Sequence, residues 1–283
     1  MVNHIVFHED CLRLFLKVRD LTRTVITPIN PADSLQIFCA TQLDFFSQRC
    51  ITVSHLLKSG LFWDAEIVFR AAIESALKVL FVSVAQEPER SLRILEFREH
   101  LSQIAFFRFR SRASAGKPDG AGPGEIFSRL ALSEDELAEH NRKWSKKERK
   151  ALEQKWAFSE MIKELESVDV EGHKLSYLSN LVHSYGVASH FLHADQLAID
   201  LSADREHRSP AVKQILEMLH FTEMLTRMVA LLISCSAYVA FALGKKIDFM
   251  GCVKDLSLLN VTVENLRATL YDLERDLYHP GEN

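Results

Sequence analysis

Glycine and proline are scarce, at ten and seven residues in a chain of 283. A sandwich or barrel rich in turns needs more of both, so their shortage argues against an all-β fold. No run alternates apolar and polar residues for long enough to build a sheet. The five cysteines, Cys11, Cys39, Cys50, Cys235 and Cys252, are scattered, and none forms a C-x-x-C pair. That argues against a disulfide framework or a zinc knuckle and leaves buried, reduced thiols. A phosphate-cradling loop, a nucleophile elbow and a dinucleotide fingerprint are all missing, so no cofactor is expected. Gly120-Ala121-Gly122-Pro123-Gly124 lacks the lysine and the strand–helix setting of such a loop. Strong net charge is missing too. At -4 the chain has no global basic field to draw it to nucleic acid or to an anionic membrane.

A targeting segment is not evident either. The N-terminus carries His8, Glu9, Asp10 and Arg13 and has no uninterrupted apolar stretch. The nearest approach to a membrane span, Met228 to Gly244, is bounded by Arg227 and Lys245 and contains Ser234, Cys235 and Ser236. A span needs roughly 20 apolar residues, and shorter runs are usually core helices. The expectation is a soluble cytoplasmic protein without a membrane partner.

What the chain does have is apolar length. Hydrophobic residues make up 47% and charged residues 25%, enough for a sizeable core in one large domain or two small ones. Asn30-Pro31-Ala32-Asp33 reads as a helix start, predicting a helix over 34–58 that Gly60 ends. A helix over 61–84 is apolar around most of its circumference, the mark of a central, buried element. Pro88 opens a third, near 89–110. Residues 111–124, rich in Gly, Ser, Ala and Pro, read as a mobile loop. Ser133 and Glu136 form a capping box, predicting a charged helix to about Lys155, and a shorter amphipathic helix follows over 156–166. Gly172 punctuates, and another helix is expected over 174–194. Ser209-Pro210 caps a long apolar helix reaching about Leu243.

The last helix spaces Val263, Leu266, Leu270, Leu273 and Leu277 three and four apart. That gives one narrow apolar seam, to pack on the bundle or on a homodimer partner. The expected organisation is an N-terminal extension (1–32), a helical bundle (33–244) with a mobile loop (111–124), and a C-terminal helical segment (245–283).

Three groups of side chains carry chemistry. The first is Glu66, Arg70, Glu74 and Lys78, four apart and alternating in sign along the predicted central helix. As a solvated ladder, each pair is worth a few tenths of a kcal/mol. On a helix this apolar, the stripe could instead face a partly buried site, where charges must be paired.

The second group is in residues 183–195, HSYGVASHFLHAD. On a helix His183 and His190 lie about 20° apart and His193 about 60° further round, so three imidazoles share a broad face. Such a face can move protons, bind metal or hold an anion. The spacing matches no zinc pattern and only Asp195 is close in sequence as a further ligand, so no metal is expected.

The third group runs from Arg142 to Lys155. It holds Arg142, Lys143, Lys146, Lys147, Arg149, Lys150 and Lys155 against Glu148 and Glu153, flanked by Trp144 and Trp156. RNA binding by phosphate contact and base stacking uses these residue types. A solvated helix face is the commoner fate of such a run.

The order of these pieces resembles a known family. GLFWDAEIVFRAAIE (Gly60 to Glu74) is similar to the R-x-x-x-E helix of a large bacterial family of unknown function, whose members are compared with HEPN domains. KWAFSEM (Lys155 to Met161) resembles its Trp-centred segment, and YGVASHFLHAD (Tyr185 to Asp195) its Y-x-x-x-S-x-x-x-H element. The resemblance covers roughly Asp33 to Leu243. It implies an all-α, HEPN-like antiparallel helical bundle with extra helices and one flexible Gly/Pro/Ser-rich loop. It marks Arg70, Glu74, Trp156, Tyr185, Ser189 and His193, and implies that Arg70, Glu74 and His193 approach one another across two helices.

HEPN ribonucleases use an R-x(4–6)-H motif without metal. Here Arg49 to His55 and Arg93 to His100 fit that spacing, about as many as composition alone would place, and His193 has no arginine at that distance.

Two functional expectations follow. One is a non-catalytic binding or interaction module in a bacterial stress or defence setting, in which Arg70, Glu74 and His193 fix helix packing. The other is a metal-independent ribonuclease, a toxin or phage-defence effector. There His193 is acid or base, Arg70 stabilises phosphate charge, Glu74 orients them, and Tyr185, Ser189 and His190 hold the site while Lys146 and Lys147 hold RNA. The sequence favours the first.

Overall fold

The computed structural model describes residues 3–27, 29–115, 132–170 and 173–275. The protein is all-α. Helices α1 (His4–Ile26), α2 (Ser34–Lys58), α3 (Phe62–Ser83) and α4 (Glu89–Leu95) lead into a π-helical turn (Glu96–Leu101) and α5 (Ser102–Ala115). Then come α6 (Glu134–Lys143), α7 (Lys146–Lys155), α8 (Phe158–Ser167), α9 (Asn180–His193), α10 (Gln196–His207), α11 (Pro210–Ala242) and α12 (Met250–Leu273). Between α8 and α9 lie a two-residue antiparallel pair, Asp169–Val170 with His173–Lys174, and a 3-10 turn (Ser176–Ser179). The chain folds as two compact units, Met1–Val84 with Leu165–Asn283, and Ala85–Glu164.

In the first unit α3 is central, as its all-round apolar character predicts. Phe69, Ile73, Leu77, Leu80 and Phe81 are fully buried. α2 packs on it, with Ser75 Oγ donating to the Gln42 carbonyl at 2.8 Å. The start and end of α2 follow the sequence closely. Asp33 caps its N-terminus by accepting from Gln36 N–H at 3.0 Å, and Gly60 beyond its end takes a left-handed φ of +72°. Ser209 and Pro210 open α11 as expected, with Ser209 Oγ accepting from Val212 N–H. By length and composition α11 could cross a membrane, but most of its apolar window is buried against other helices.

Residues 4–26 are not an extension but an inner helix. Asn3 caps it, and Phe7, Cys11, Leu14, Phe15, Val18 and Val25 are buried. The charges that interrupt the sequence, Glu9, Asp10 and Arg13, stay outside the buried face. Thr22 Oγ1 meets Ser236 Oγ at 2.5 Å, tying α1 to α11. The C-terminal helix packs on the same unit through Val263 and Leu266, while Leu270 is half-buried, Leu273 is exposed and Leu277 lies outside the described residues. All five cysteines are buried free thiols, and burial pushes Cys11 up to about 12.

In the second unit the buried carboxylate of Glu96, in the π turn, accepts from Trp156 Nε1 and Lys155 Nζ, both at 3.0 Å. Arg93 pairs with Glu89 at 2.9 Å and also with Glu164. The single charged helix expected up to Lys155 is instead two. α6 stops at Trp144, and Ser145 with Glu148 forms a second capping box that starts α7. Residues 111–115 are the last turn of α5 rather than loop, and 116–124 lie outside the described residues.

Candidate functional site

Along its own helix the polar stripe of α3 pairs Arg70 with Glu74. Glu66, Arg70 and Glu74 also reach to other helices. Arg70 Nη2 donates to the Tyr185 hydroxyl on α9 at 2.8 Å, and that hydroxyl donates to Glu74 Oε1 at 2.8 Å. The Arg70 guanidinium also lies over the Tyr185 ring, 4.4 Å from its centroid. Within the stripe, Arg70 Nε is 3.6 Å from Glu74 Oε1. A hydrogen bond, a cation–π contact and an ion pair thus hold one half-buried point, with the cation–π part worth about 0.5–1 kcal/mol. Burial raises the Tyr185 pKa above its usual value, with Arg70 opposing and Glu74 reinforcing. The phenol therefore stays protonated and acts as a bridge.

One turn earlier, Glu66 is buried and accepts from His220 Nε2 of α11 at 2.9 Å. Arg205 Nη2 of α10 lies 3.0 Å from His220 Nδ1. Arginine can only donate, so Nδ1 accepts and the imidazole proton sits on Nε2, facing Glu66. Aromatic rings wall this chain. Trp63 stacks on Phe191 at 4.1 Å and 13°, the Arg205 guanidinium lies 4.0 Å from the Trp63 ring, and Phe62 stacks on His220 at 5.6 Å. Glu66 Oε2 and Arg205 Nη1 are buried without a hydrogen-bond partner among the described residues. Burial lowers the Arg205 pKa, against the pull of Glu217 and Glu66. Lys78, at the far end of the stripe, is lowered by burial as well, with Glu74 opposing.

The histidine face separates. His190 Nδ1 pairs with Asp195 Oδ2 at 2.6 Å, and this holds the Asp195 carboxyl below its usual range. Asp195 also caps α10, so the residue nearest to being a metal ligand is occupied as a helix start. His183 and His193 are exposed. No hydrogen bond or ion pair joins His193 to Arg70 or Glu74 among the described residues, and Tyr185 takes the place expected for it. Ser189 Oγ donates to the Tyr185 carbonyl at 2.9 Å, within its own helix. No group of three or more His, Cys, Asp or Glu is placed to hold a metal among the described residues.

One family model matches the chain, a family of unknown function (DUF5677), over residues 46–209. The chain belongs to the DUF5677 family. No curated protein and no solved structure matches it. The DUF5677 segment holds α3, α9 and α10, and so Glu66, Arg70, Glu74, Tyr185, His193 and Arg205. His220 and the body of α11 lie beyond it.

Neither arginine–histidine spacing in the sequence becomes a pair. Arg93 is held by Glu89 and Glu164, while His100 sits edge-on to Trp144 at 4.8 Å. Arg49 lies over Phe45 at 5.1 Å and His55 is exposed. On the basic segment Lys146 and Lys147 are exposed, as are Arg142, Lys143 and Lys150. Trp156 is buried and bonded to Glu96, which removes it as a stacking surface.

Proposed function

We propose that this DUF5677 protein is a HEPN-like helical bundle serving as a non-catalytic binding module, in the cytoplasm of a bacterium and within a stress or defence system. The observation that carries the reading is the commitment of Arg70. Its guanidinium is tied to Tyr185 and Glu74, while His193 stands exposed and unconnected to either. A metal-independent ribonuclease needs a general base beside the arginine that stabilises phosphate, and a phenol whose pKa is raised by burial, as at Tyr185, is poorly suited to that role at neutral pH.

The partner this reading favours is RNA, held through charge by Arg142, Lys143, Lys146, Lys147 and Lys150. With Trp156 withdrawn, binding rests on phosphate contacts and is sequence-tolerant and steeply salt-dependent.

The test is RNA cleavage and RNA binding by the purified protein, with and without EDTA. The variants are His193→Ala and the double variant Lys146→Glu/Lys147→Glu. No cleavage, with salt-sensitive binding weakened at least ten-fold in the double variant, supports the module. EDTA-resistant cleavage that disappears in folded His193→Ala would overturn it in favour of a ribonuclease.

A further inference from the structure

In the first unit, away from Arg70 and Tyr185, a cavity of about 490 Å³ opens between three helices. Asn180, Leu181 and His183 of α9 line it, with Arg227 and Leu231 of α11 and Arg267 of α12. Its volume falls in the range of small-molecule sites and exceeds what a bare inorganic ion fills.

The two arginines share a brace. Glu223 Oε2 accepts from Arg227 Nη2 at 2.7 Å, and its Oε1 accepts from Arg267 Nε at 2.8 Å. Arg227 Nη1 also donates to Ser184 Oγ at 2.5 Å, and Arg267 Nη1 to Glu264 at 2.6 Å. These bonds fix both planar forks and still leave roughly half of their N–H groups unspent. Arg267 is exposed and Arg227 is half-buried, and both line the cavity.

The bracing carboxylates are not among the lining residues, whereas the two arginines, His183 and Asn180 are. Donors therefore dominate the polar wall. The rest is apolar. Leu181 and Leu231 are buried, and the Tyr177 hydroxyl is already given to Ser234 Oγ at 2.6 Å. Glu223 and Glu264 balance the two guanidinium charges, which suits a ligand of low charge over a polyanion.

We propose that this cavity binds a small organic oxyanion, a single carboxylate or phosphate carried on a compact apolar body. Arg227 and Arg267 grip the oxyanion as planar forks. Asn180 and His183 add donors at the wall, and Leu181 and Leu231 take the apolar body. The site uses none of the residues that carry the binding-module reading, so either stands if the other fails.

The experiment is calorimetric titration of the full chain with phenyl phosphate, benzoate and inorganic phosphate, repeated on Arg267→Ala and Arg227→Lys. Arg267 is half-exposed, so its alanine variant should keep the fold, which circular dichroism checks. The expected result is saturable one-to-one binding of an organic probe, at least ten-fold tighter than inorganic phosphate and weakened at least ten-fold by Arg267→Ala. Preference for phenyl phosphate or for benzoate tells which oxyanion the site takes. If Arg267→Ala misfolds, Arg227→Lys, which keeps the charge and loses the fork, carries the same expectation. Absence of saturable binding by all three probes overturns the proposal. So does inorganic phosphate binding as tightly as the organic probes, or affinity unchanged in every folded variant.

Discussion

His220 Nε2 lies 2.9 Å from Glu66 Oε1, joining α11 to α3 across 154 residues of sequence. Arg205 on the other side of the ring extends the link to α10. This carboxylate–imidazole–guanidinium chain is more enclosed than the Arg70 cluster, and its cost and value are correspondingly larger.

Removing the central imidazole strands two charged groups. His220→Leu should destabilise the protein by about 3 kcal/mol or more, because Glu66 and Arg205 lose their shared partner in a largely buried setting. Replacing Glu66 with leucine in the same chain should recover part of the loss. Urea unfolding of the single and double variants measures both. A single variant as stable as wild type would show that the chain contributes nothing.

The Arg70 cluster is more exposed and should matter less. If Glu74 were buried, Arg70→Ala would cost several kcal/mol. The Glu74 side chain is 35% exposed and keeps its bond from Tyr185. Arg70→Ala and Tyr185→Phe should therefore each cost about 1–2 kcal/mol. A double-mutant cycle should show positive coupling, and strict additivity would mean the hydroxyl and the guanidinium do not act together.

Ala194 ends α9 at φ 49°, a left-handed conformation that a side chain resists. Ala194→Gly should raise stability by about 0.5–1 kcal/mol despite the added freedom of the unfolded chain. Thermal melting decides the sign, and a loss of stability would mean that the Ala194 methyl packs usefully.

His8 gives the fold a pH dependence. It is buried against Ser54 Oγ at 2.6 Å, and burial holds its pKa below the usual value, helped by Lys58 and His55 and opposed by Glu9. The neutral form is the one the fold accepts. Its contribution is complete above the unfolded-chain value of about 6.5 and is lost as pH falls toward the lower folded-state value. The melting temperature of wild type should fall between about pH 7 and pH 5. His8→Gln should show a shallower fall, and parallel profiles would assign the loss to other groups.

The helix boundaries that were legible are those written in local chemistry. Asp33, Gly60, Ser133 and Ser209-Pro210 each act within a few residues of themselves, and each lies where the pattern places it. The sequence hides α1, because charged residues break its apolar run yet fall away from its buried face. It hides α10 too, because an aspartate at 195 suits a ligand as well as a cap and the helix buries little beyond Ala198. The stripe on α3 was visible, but periodicity tells which face a residue shares, not which helix comes to meet it. So Tyr185 rather than His193 meets Arg70, and the Glu66 partners His220 and Arg205 went unseen. The one available signal for His220 was its place as a lone imidazole within the apolar run of α11.

The packing of α1 on α11 has a consequence for how the molecule is made. Roughly 180 residues separate Ile26 from Pro210, so at typical translation speeds of about 5–20 residues per second the first helix waits roughly 10–40 s for its mate. Through that interval α1 has α2 to pack on, where Phe15 meets Phe46 and His8 meets Ser54. The apolar face of α1 that ends against α11 is therefore late to find its partner, and slower synthesis of the intervening chain would prolong its exposure.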